Sequence, residues 1–461
     1  MSGYFKSSSR RKSGTILALS TMQRNPRTLV GPESGLRHWL SRPSRWFQTL
    51  IVIVAGCALF WWIEELSGGF QIGDADASIY TSLMVAHGHW SCMYRQVPSY
   101  QPLSGPIYPV VSAIIQMLSH VGFSSSFPSS TQIGANCAHA FTSFFAWQGS
   151  SAEFPWVLRT ALIAWIALTA LGIAVLRTTQ LRGTRAVWLV PAFFAVTPPI
   201  IMALQEYYHP QDIWALAMTF AAVALWIRKR SFLAGIFLAL AVMSQQYVLL
   251  GVVALIVVSS SRERRGLICG GVLATFVTAT TMYLVAGSRA LSATLLGTGD
   301  TNIHVGTWMS EIHLRSGAAI GLSRVGPLLA AAYISRWCFL RRPDLLKDPV
   351  VVLGLLATCW SLRLVFEENL WGYYCFATGA TLVLRDIAAT RLSRGTIAWL
   401  VLVLVVFGDF RLHQPPWGYW PIWVSQLLVA PSAFIVAFHS LRQSMRQSRD
   451  EPVAADFLSP N

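Results

Sequence analysis

Apolar runs of membrane-crossing length recur along this chain, and short clusters of arginine and lysine separate them. That alternation constrains the fold more than any other feature. Backbone polar groups in a bilayer must pair within the chain, so each run of about twenty apolar residues folds as a helix. Only 12% of the 461 residues are charged and 54% are hydrophobic. A soluble domain carries about 25% charged residues. The expected architecture is therefore an all-α integral membrane protein, a multispan helical bundle of about twelve transmembrane helices.

The net charge of +15 invites a nucleic-acid reading, but its placement argues otherwise. The cations sit in short clusters such as Arg228-Lys229-Arg230, Arg262 with Arg264 and Arg265, and Arg341-Arg342 with Lys347. Clusters between apolar runs follow the positive-inside pattern. No basic face interleaved with aromatics appears, so membrane lipids and no nucleic acid are the expected partners.

Residues 1–45 are Ser-rich and basic with Glu33 as the one acid, and read as a disordered cytoplasmic tail. The first apolar run, Trp46–Leu66, is too long and too late for a signal peptide. Its basic flank before and Glu64-Glu65 after place the N-terminus inside. A long outer loop, 67–151, follows, with an amphipathic stretch (Ala77–Gly88) and an apolar one (Ile107–Val121) suited to interfacial helices. Further spans are expected at 152–176, 186–204, 210–227, 231–244, 246–259, 267–286, 320–340, 350–365, 370–385, 396–410 and 420–439. Those at 231–244 and 246–259 are short and meet at Gln245-Gln246, as a helical hairpin or one bent element. The bundle thus covers 46–440, and residues 441–461 form a second cytoplasmic tail. Every basic cluster then falls on the N-terminal side.

Five cysteines (Cys57, Cys269, Cys338, Cys359, Cys375) lie in apolar runs and suit core packing. Cys92 and Cys137 share the outer loop, where a disulfide between them is one outcome. Asp74, Asp76, His87 and His89 come nearest to a metal set but lack a metal-ligand spacing. No metal or other cofactor is expected.

The side opposite the basic clusters gathers Asp74, Asp76, His209, Asp212, His304, Glu367 and Glu368 among other acids and histidines. Polar groups there are either solvated loop residues or a site. Asp76 stands where a helix is expected to begin, and Tyr80 follows one turn later. Its carboxylate suits an N-cap; held at the water boundary it equally suits a general base for a hydroxyl nucleophile. His209, before Pro210, reads as a packing residue or as a ligand of a phosphate or hydroxyl. Arg363 reads as an interfacial arginine pairing with Glu367 or as a phosphate clamp.

The loop Asp74-Ala75-Asp76-Ala77-Ser78-Ile79-Tyr80, its Gly88, and the later Gly105-Pro106-Ile107-Tyr108-Pro109 resemble the first outer loop of GT-C glycosyltransferases. Tyr208-His209-Pro210-Gln211-Asp212, the Ala-Gly-rich stretch 233–241 and Ser244-Gln245-Gln246-Tyr247 resemble the bacterial mannosyltransferase-like glycosyltransferase family 87. So does Arg363 followed by Tyr373-Tyr374. The chain departs from that pattern at Tyr208 for Gly, Gln211 for an acid and Gln245 for Lys.

The resemblance implies a GT-C-like bundle in the bacterial inner membrane with its active site facing outward. It implies transfer of a sugar, most plausibly mannose, from a polyprenyl-phosphate donor to a lipid-linked or cell-wall glycan acceptor. Asp76 takes the place of the catalytic base, with Asp74 as second choice. Arg363, His209, Tyr80, Gln245, Tyr373 and Tyr374 become candidates for donor-phosphate or substrate binding. Two other readings stand beside it: a transporter or flippase of a lipid-linked sugar, and a catalytically inactive relative, which the departures at Gln211 and Gln245 favour.

Overall fold

The computed structural model describes residues 72–93, 105–118, 153–178, 184–204, 208–296, 316–367, 370–407 and 425–450. The chain divides into two units at Ser44/Arg45. The first unit lies outside the described residues, as do the run Trp46–Leu66, Cys137 and the segment around His304.

Every regular element among the described residues is helical. In chain order they are α1 (Ile72–Ala86), α2 (Ile107–Leu118), α3 (Glu153–Leu176), α4 (Thr184–Ala195), α5 (Pro198–Leu204), α6 (Pro210–Ile227) and α7 (Ser231–Val242). Then come α8 (Leu249–Val258), α9 (Ser261–Leu296), α10 (Ser316–Arg341), α11 (Pro349–Phe366), α12 (Phe376–Ala388), α13 (Arg394–Phe407) and α14 (Ala430–Asp450). Five helices, within α3, α6, α9, α10 and α11, are long and apolar enough to cross a membrane. Most of the other expected spans among the described residues are built from shorter pieces. The 186–204 span breaks between α4 and α5 at Pro198-Pro199, since proline cannot continue the bonding of the preceding turn.

α6 and α11 are buried along nearly their whole length. Around them, α9 exposes Ile268, Val272, Phe276 and Leu284, and α10 exposes Val325, Leu329 and Tyr333. An apolar exterior around a packed apolar interior is the surface of a membrane protein. In a bilayer, packing and close approach hold helices together instead of hydrophobic transfer. The α7–α9 pair shows this. A Cβ on Gly270 would strike the carbonyl oxygen of Phe232, and one on Gly235 that of Leu267.

The short segments α7 and α8 form a hairpin, which settles one alternative left open by the sequence. Each has one end at the basic face: Trp226 Nε1, beside the start of α7, donates to Ser259 Oγ just past α8 at 2.8 Å. The turn between them begins at Gln245, whose backbone is extended, and a single 3-10 turn over Gln246–Val248 leads into α8.

The basic clusters gather at one end of the bundle. Lys347 pairs with Glu263 at 2.8 Å and sits 3.2 Å from the Trp226 ring centroid. Arg342 donates to the carbonyl of Met445 at 2.8 Å. Arg385, fully buried, pairs with Asp386 at 2.7 Å and donates to Ser440 O and Ser444 Oγ. Asp386 in turn accepts from the backbone of Ser393. α14 therefore runs past the expected boundary at 440 to Asp450. Leu441, Ser444 and Met445 are buried, because the partners of Arg385 and Arg342 lie on that extension.

The helices of the segment 67–151 differ from expectation in two ways. α1 begins at Ile72, so Asp76 lies inside the helix and cannot be its N-cap. From Ser78 to Val85 α1 is buried on all sides, where an interfacial helix would bury one face. It packs on α2 and α3, with Ile79, Tyr80 and Leu83 joining Trp156, Val157, Tyr208 and Met282 in one cluster. α2 is fastened to α3 by Trp156 Nε1 donating to Ser112 Oγ and Gln116 Nε2 donating to Trp156 O.

Candidate functional site

At the end of the bundle away from the arginine clusters, six side chains form a closed circuit. The backbone prepares it at Tyr208, whose φ of +48° is left-handed and ordinarily suits glycine. This is the position where the resembled pattern carries Gly. The strained turn is held by its surroundings: Tyr208 Oη shares a short hydrogen bond with Thr160 Oγ1, and His209 N donates to Ala203 O. Pro210 then opens α6 as a first-turn proline, and Asp212 follows in that turn, where a carboxylate suits the helix dipole.

His209 and Asp212 are both buried, with Nδ1 3.5 Å from the carboxylate. The Gln211 amide nitrogen lies 2.9 Å from the same Nδ1, and its Oε1 is buried without a partner. The two orientations of that amide correspond to two tautomers of His209. With Oε1 turned to the ring, Nδ1–H donates and its proton faces the Asp212 carboxylate, while the amide nitrogen takes the buried position without a partner among the described residues. Electrostatics favours that arrangement, which leaves the lone pair on Nε2.

The His209 ring stacks on Tyr373 at 3.9 Å and 15°. Tyr373 meets Tyr374 edge to face at 4.5 Å. Tyr374 lies 4.1 Å under the guanidinium of Arg363, which also lies 5.3 Å from the Tyr247 ring. Tyr247 closes the circuit by donating from its hydroxyl to the backbone carbonyl of Asp212 at 2.8 Å. Four segments contribute: the start of α6, the 3-10 turn before α8, the end of α11 and the 3-10 turn before α12.

Arg363 is held in place by Glu367, with Nε 2.9 Å from Oε2, one turn along. Its side chain is 22% exposed, and among the described residues neither Nη group has a partner. A guanidinium fixed at Nε and against two rings presents its remaining N–H groups preorganised for an anion.

The sequence-expected residues divide as follows. Arg363, His209, Tyr373 and Tyr374 come together. Gln245 lies beside the circuit in the α7–α8 turn, half-buried, with its backbone N–H bonded to Ala241 O. The Gly105 motif docks on that same turn: Gly105 N donates to Ser244 O, and a Cβ there would strike the Met243 carbonyl. Tyr80 is buried in α1 and shares a cluster with Tyr208, next to His209; burial pushes its phenol up to about 12. Asp74 and Asp76 lie on the first turns of α1, and their side chains fall outside the described residues.

Three participants were not singled out from the sequence. Asp212 was named among the acids opposite the basic clusters and in a motif but given no role, and Tyr247 was quoted only as a motif letter. Arg324, on α10, reaches Gln246 Oε1 at 3.5 Å and was missed inside an apolar run. Its signal was there: it is an arginine inside the expected span 320–340, at the end lacking basic clusters. Cys92 is disulfide-bonded while Cys269, Cys338, Cys359 and Cys375 are free, so its partner lies outside the described residues.

No family model, curated protein or solved structure matches the chain. What fold and site define is a class: an all-helical protein with apolar helices of membrane-crossing length and a cation–aromatic site at one end.

Proposed function

We propose that this protein is a membrane glycosyltransferase that moves a sugar, mannose by the family resemblance, from a polyprenyl-phosphate donor to a lipid-linked or cell-wall glycan acceptor. The observation that carries the reading is Arg363, fixed by Glu367, flanked by Tyr374 and Tyr247, and open at its Nη groups. The resemblance of the Asp76, His209 and Arg363 segments to GT-C enzymes of the family 87 type supplies sugar and donor.

In this reading the bundle has about twelve spans with both termini cytoplasmic. The arginine clusters face the cytoplasm and the circuit faces outward. A disulfide at Cys92, on the same side as the circuit, agrees with an oxidising outer compartment.

The acceptor hydroxyl attacks the anomeric carbon, and Asp76 or Asp74 takes its proton. The bond from that carbon to the phosphate oxygen breaks, and its electron pair stays on the phosphate. Arg363 stabilises the charge that develops there. His209, backed by Asp212 and stacked on Tyr373, lies in the same circuit, and its Nε2 can accept a hydrogen bond from a sugar hydroxyl. A transporter is less well supported, because among the described residues the ionised side chains lie towards the two ends of the spans.

The test is transfer of radiolabelled mannose from polyprenyl-phosphate mannose into membrane lipids. Wild-type protein should transfer, while Asp76→Asn and Arg363→Gln, at equal expression, should lose at least about a hundredfold. Activity retained in Arg363→Gln removes the phosphate role. Activity lost in Asp74→Asn but kept in Asp76→Asn moves the base to Asp74. Absence of transfer from every polyprenyl-phosphate sugar tried would sink the enzyme reading.

A further inference from the structure

Two helices of the basic end change character together. On α10, Tyr333 and Trp337 are followed at four-residue spacing by Arg341; on α14, Phe434 and Phe438 are followed by Arg442 and Arg446. That spacing puts each set on one face of its helix. Both helices pack on α11: Ser335 Oγ lies 4.0 Å from Cys359 Sγ, and a Cβ on Gly354 would lie 3.2 Å from Leu441 Cα. The half-buried rings of Trp337 and Phe438 meet at 5.6 Å, and Phe434 stacks on Phe438 at 5.7 Å. Arg341 lies 5.7 Å from the Trp337 ring and Arg442 5.9 Å from the Phe438 ring. Two neighbouring rings thus join guanidiniums from two helices into one surface. Arg342 ties the same helices together by donating to Met445 O at 2.8 Å.

The nearby carboxylates are engaged elsewhere. Asp344 takes Arg342 with both oxygens, at 2.9 and 3.2 Å. Asp348 caps α11 through Val350 N, while Glu263 holds Lys347 and Asp386 holds Arg385. Asp450 follows Arg446 by one turn, and its side chain lies outside the described residues. Arg341, Arg442 and Arg446 are exposed, with no ion pair among the described residues. Set against these three and Arg342, even Asp344, Asp348 and Asp450 together leave a positive excess. On the other side of the rings the helices are apolar and exposed, at Leu329 on α10 and Ile435 on α14. Apolar residues, then aromatic rings, then arginines is the order in which a helix meets acyl chains, the interface and phosphates.

We propose that Arg341 and Arg442 form a site for an anionic lipid carrying two phosphates, of the cardiolipin kind, with its acyl chains along α10 and α14. The site lies at the opposite end of the bundle from the His209–Arg363 circuit and does not depend on the transferase reading. Basic surfaces between membrane helices hold such head groups. A ring against the face of each guanidinium leaves its N–H edges for phosphate oxygens. The pairing of the two arginines selects the occupant. Two separate phospholipids would each lose translational freedom to fill the two positions. One lipid with both phosphates loses it once, and its second contact forms at high effective concentration.

The full-length protein in phosphatidylcholine nanodiscs is titrated with cardiolipin, and bound lipid is counted by native mass spectrometry. Phosphatidylglycerol, at twice the molar amount to match phosphate, is the comparison. Cardiolipin should bind at least about tenfold more tightly. Arg341→Gln and Arg442→Gln should each weaken it about tenfold, with Arg442→Lys recovering part of the loss. Arg262→Gln removes an exposed charge elsewhere at the basic end, on α9, and should leave cardiolipin binding unchanged. Melting temperatures without cardiolipin report whether the variants fold. If they do not, wild-type protein decides: cardiolipin should raise its melting temperature, and phosphatidylglycerol at matched phosphate should not. Equal effects of the two lipids on wild type overturn the proposal. So does a loss in Arg262→Gln as large as that in Arg442→Gln, which would leave only a general positive surface. Unchanged binding in folded Arg341→Gln and Arg442→Gln overturns it as well.

Discussion

His209 and Tyr373 are stacked, ring on ring, at 3.9 Å and 15°, although 164 residues separate them in the chain. Stacking of aromatic rings contributes about 0.5–1.5 kcal/mol beyond the area it buries. It also fixes the plane of the imidazole, and therefore where Nε2 points. The two effects separate by mutation. His209→Phe keeps the stack and should leave the melting temperature within about two degrees of wild type. Under the transferase reading proposed above, sugar transfer should nevertheless fall at least about tenfold, because no ring nitrogen remains. A variant equally stable and equally active would reduce His209 to a packing residue.

Adjacent glycines on α9 offer a sharp contrast. Gly270 faces the Phe232 carbonyl with no room for a Cβ, whereas the nearest atom to a Cβ on Gly271 is Gly235 O at 3.6 Å. Gly270→Ala should force α7 and α9 apart and cost about 1–3 kcal/mol. Gly271→Ala should be neutral or slightly stabilising, since alanine favours the helix. Thermal unfolding of both variants in the same detergent tests this. Equal melting temperatures would mean that α7 and α9 do not approach this closely.

The buried Arg385–Asp386 pair makes a second stability prediction. Removing one partner of a buried pair leaves an uncompensated charge, which costs about 3–5 kcal/mol. Asp386→Asn strands Arg385, whose Nη1 donates to that carboxylate, while the amide oxygen of the substituted side chain would still accept from Ser393 N. The double variant Arg385→Leu with Asp386→Asn should regain most of the loss. The melting temperature should therefore drop in the single variant and return in the double one. A double variant as unstable as the single would show that the bonds to Ser440 and Ser444 matter more than the charge.

Helices that cross as single apolar runs were legible in the sequence, because the bilayer sets their length. α6 and α11 begin and end within a residue of the expected spans 210–227 and 350–365. The site was half legible. His209 and Arg363 drew attention as polar groups at span ends, and Tyr373 and Tyr374 only through the family resemblance. The circuit they form was not legible, since Tyr247 meets Asp212 across 35 residues only when the α7–α8 hairpin folds back. The start of α1 was misplaced because Gly73 and the two aspartates read as loop, while the helix takes in Ile72 and Gly73. Its burial was invisible for a different reason. Contacts with Trp156, Tyr208 and Met282 come from three segments far along the chain, and periodicity reports only one helix at a time.

The end of α1 carries a pH prediction. His87 follows the last residue of α1, half-buried, with its backbone N–H bonded to Leu83 O, and Gly88 turns the chain with φ of +77°. Burial lowers the pKa of His87 below the ordinary 6.5, and neighbouring His89 lowers it further. The folded protein therefore holds this imidazole neutral, and the unfolded segment binds the proton first as pH falls. Stability from His87 is fully present above about pH 6.5 and is lost as the pH drops towards the lowered folded value. Hydrogen exchange over residues 78–86 should speed up between pH 7 and pH 5, after correction for intrinsic rates. His87→Gln should flatten that dependence without changing exchange at pH 7. If the wild-type segment exchanges identically at both pH values, His87 is not held neutral by its burial.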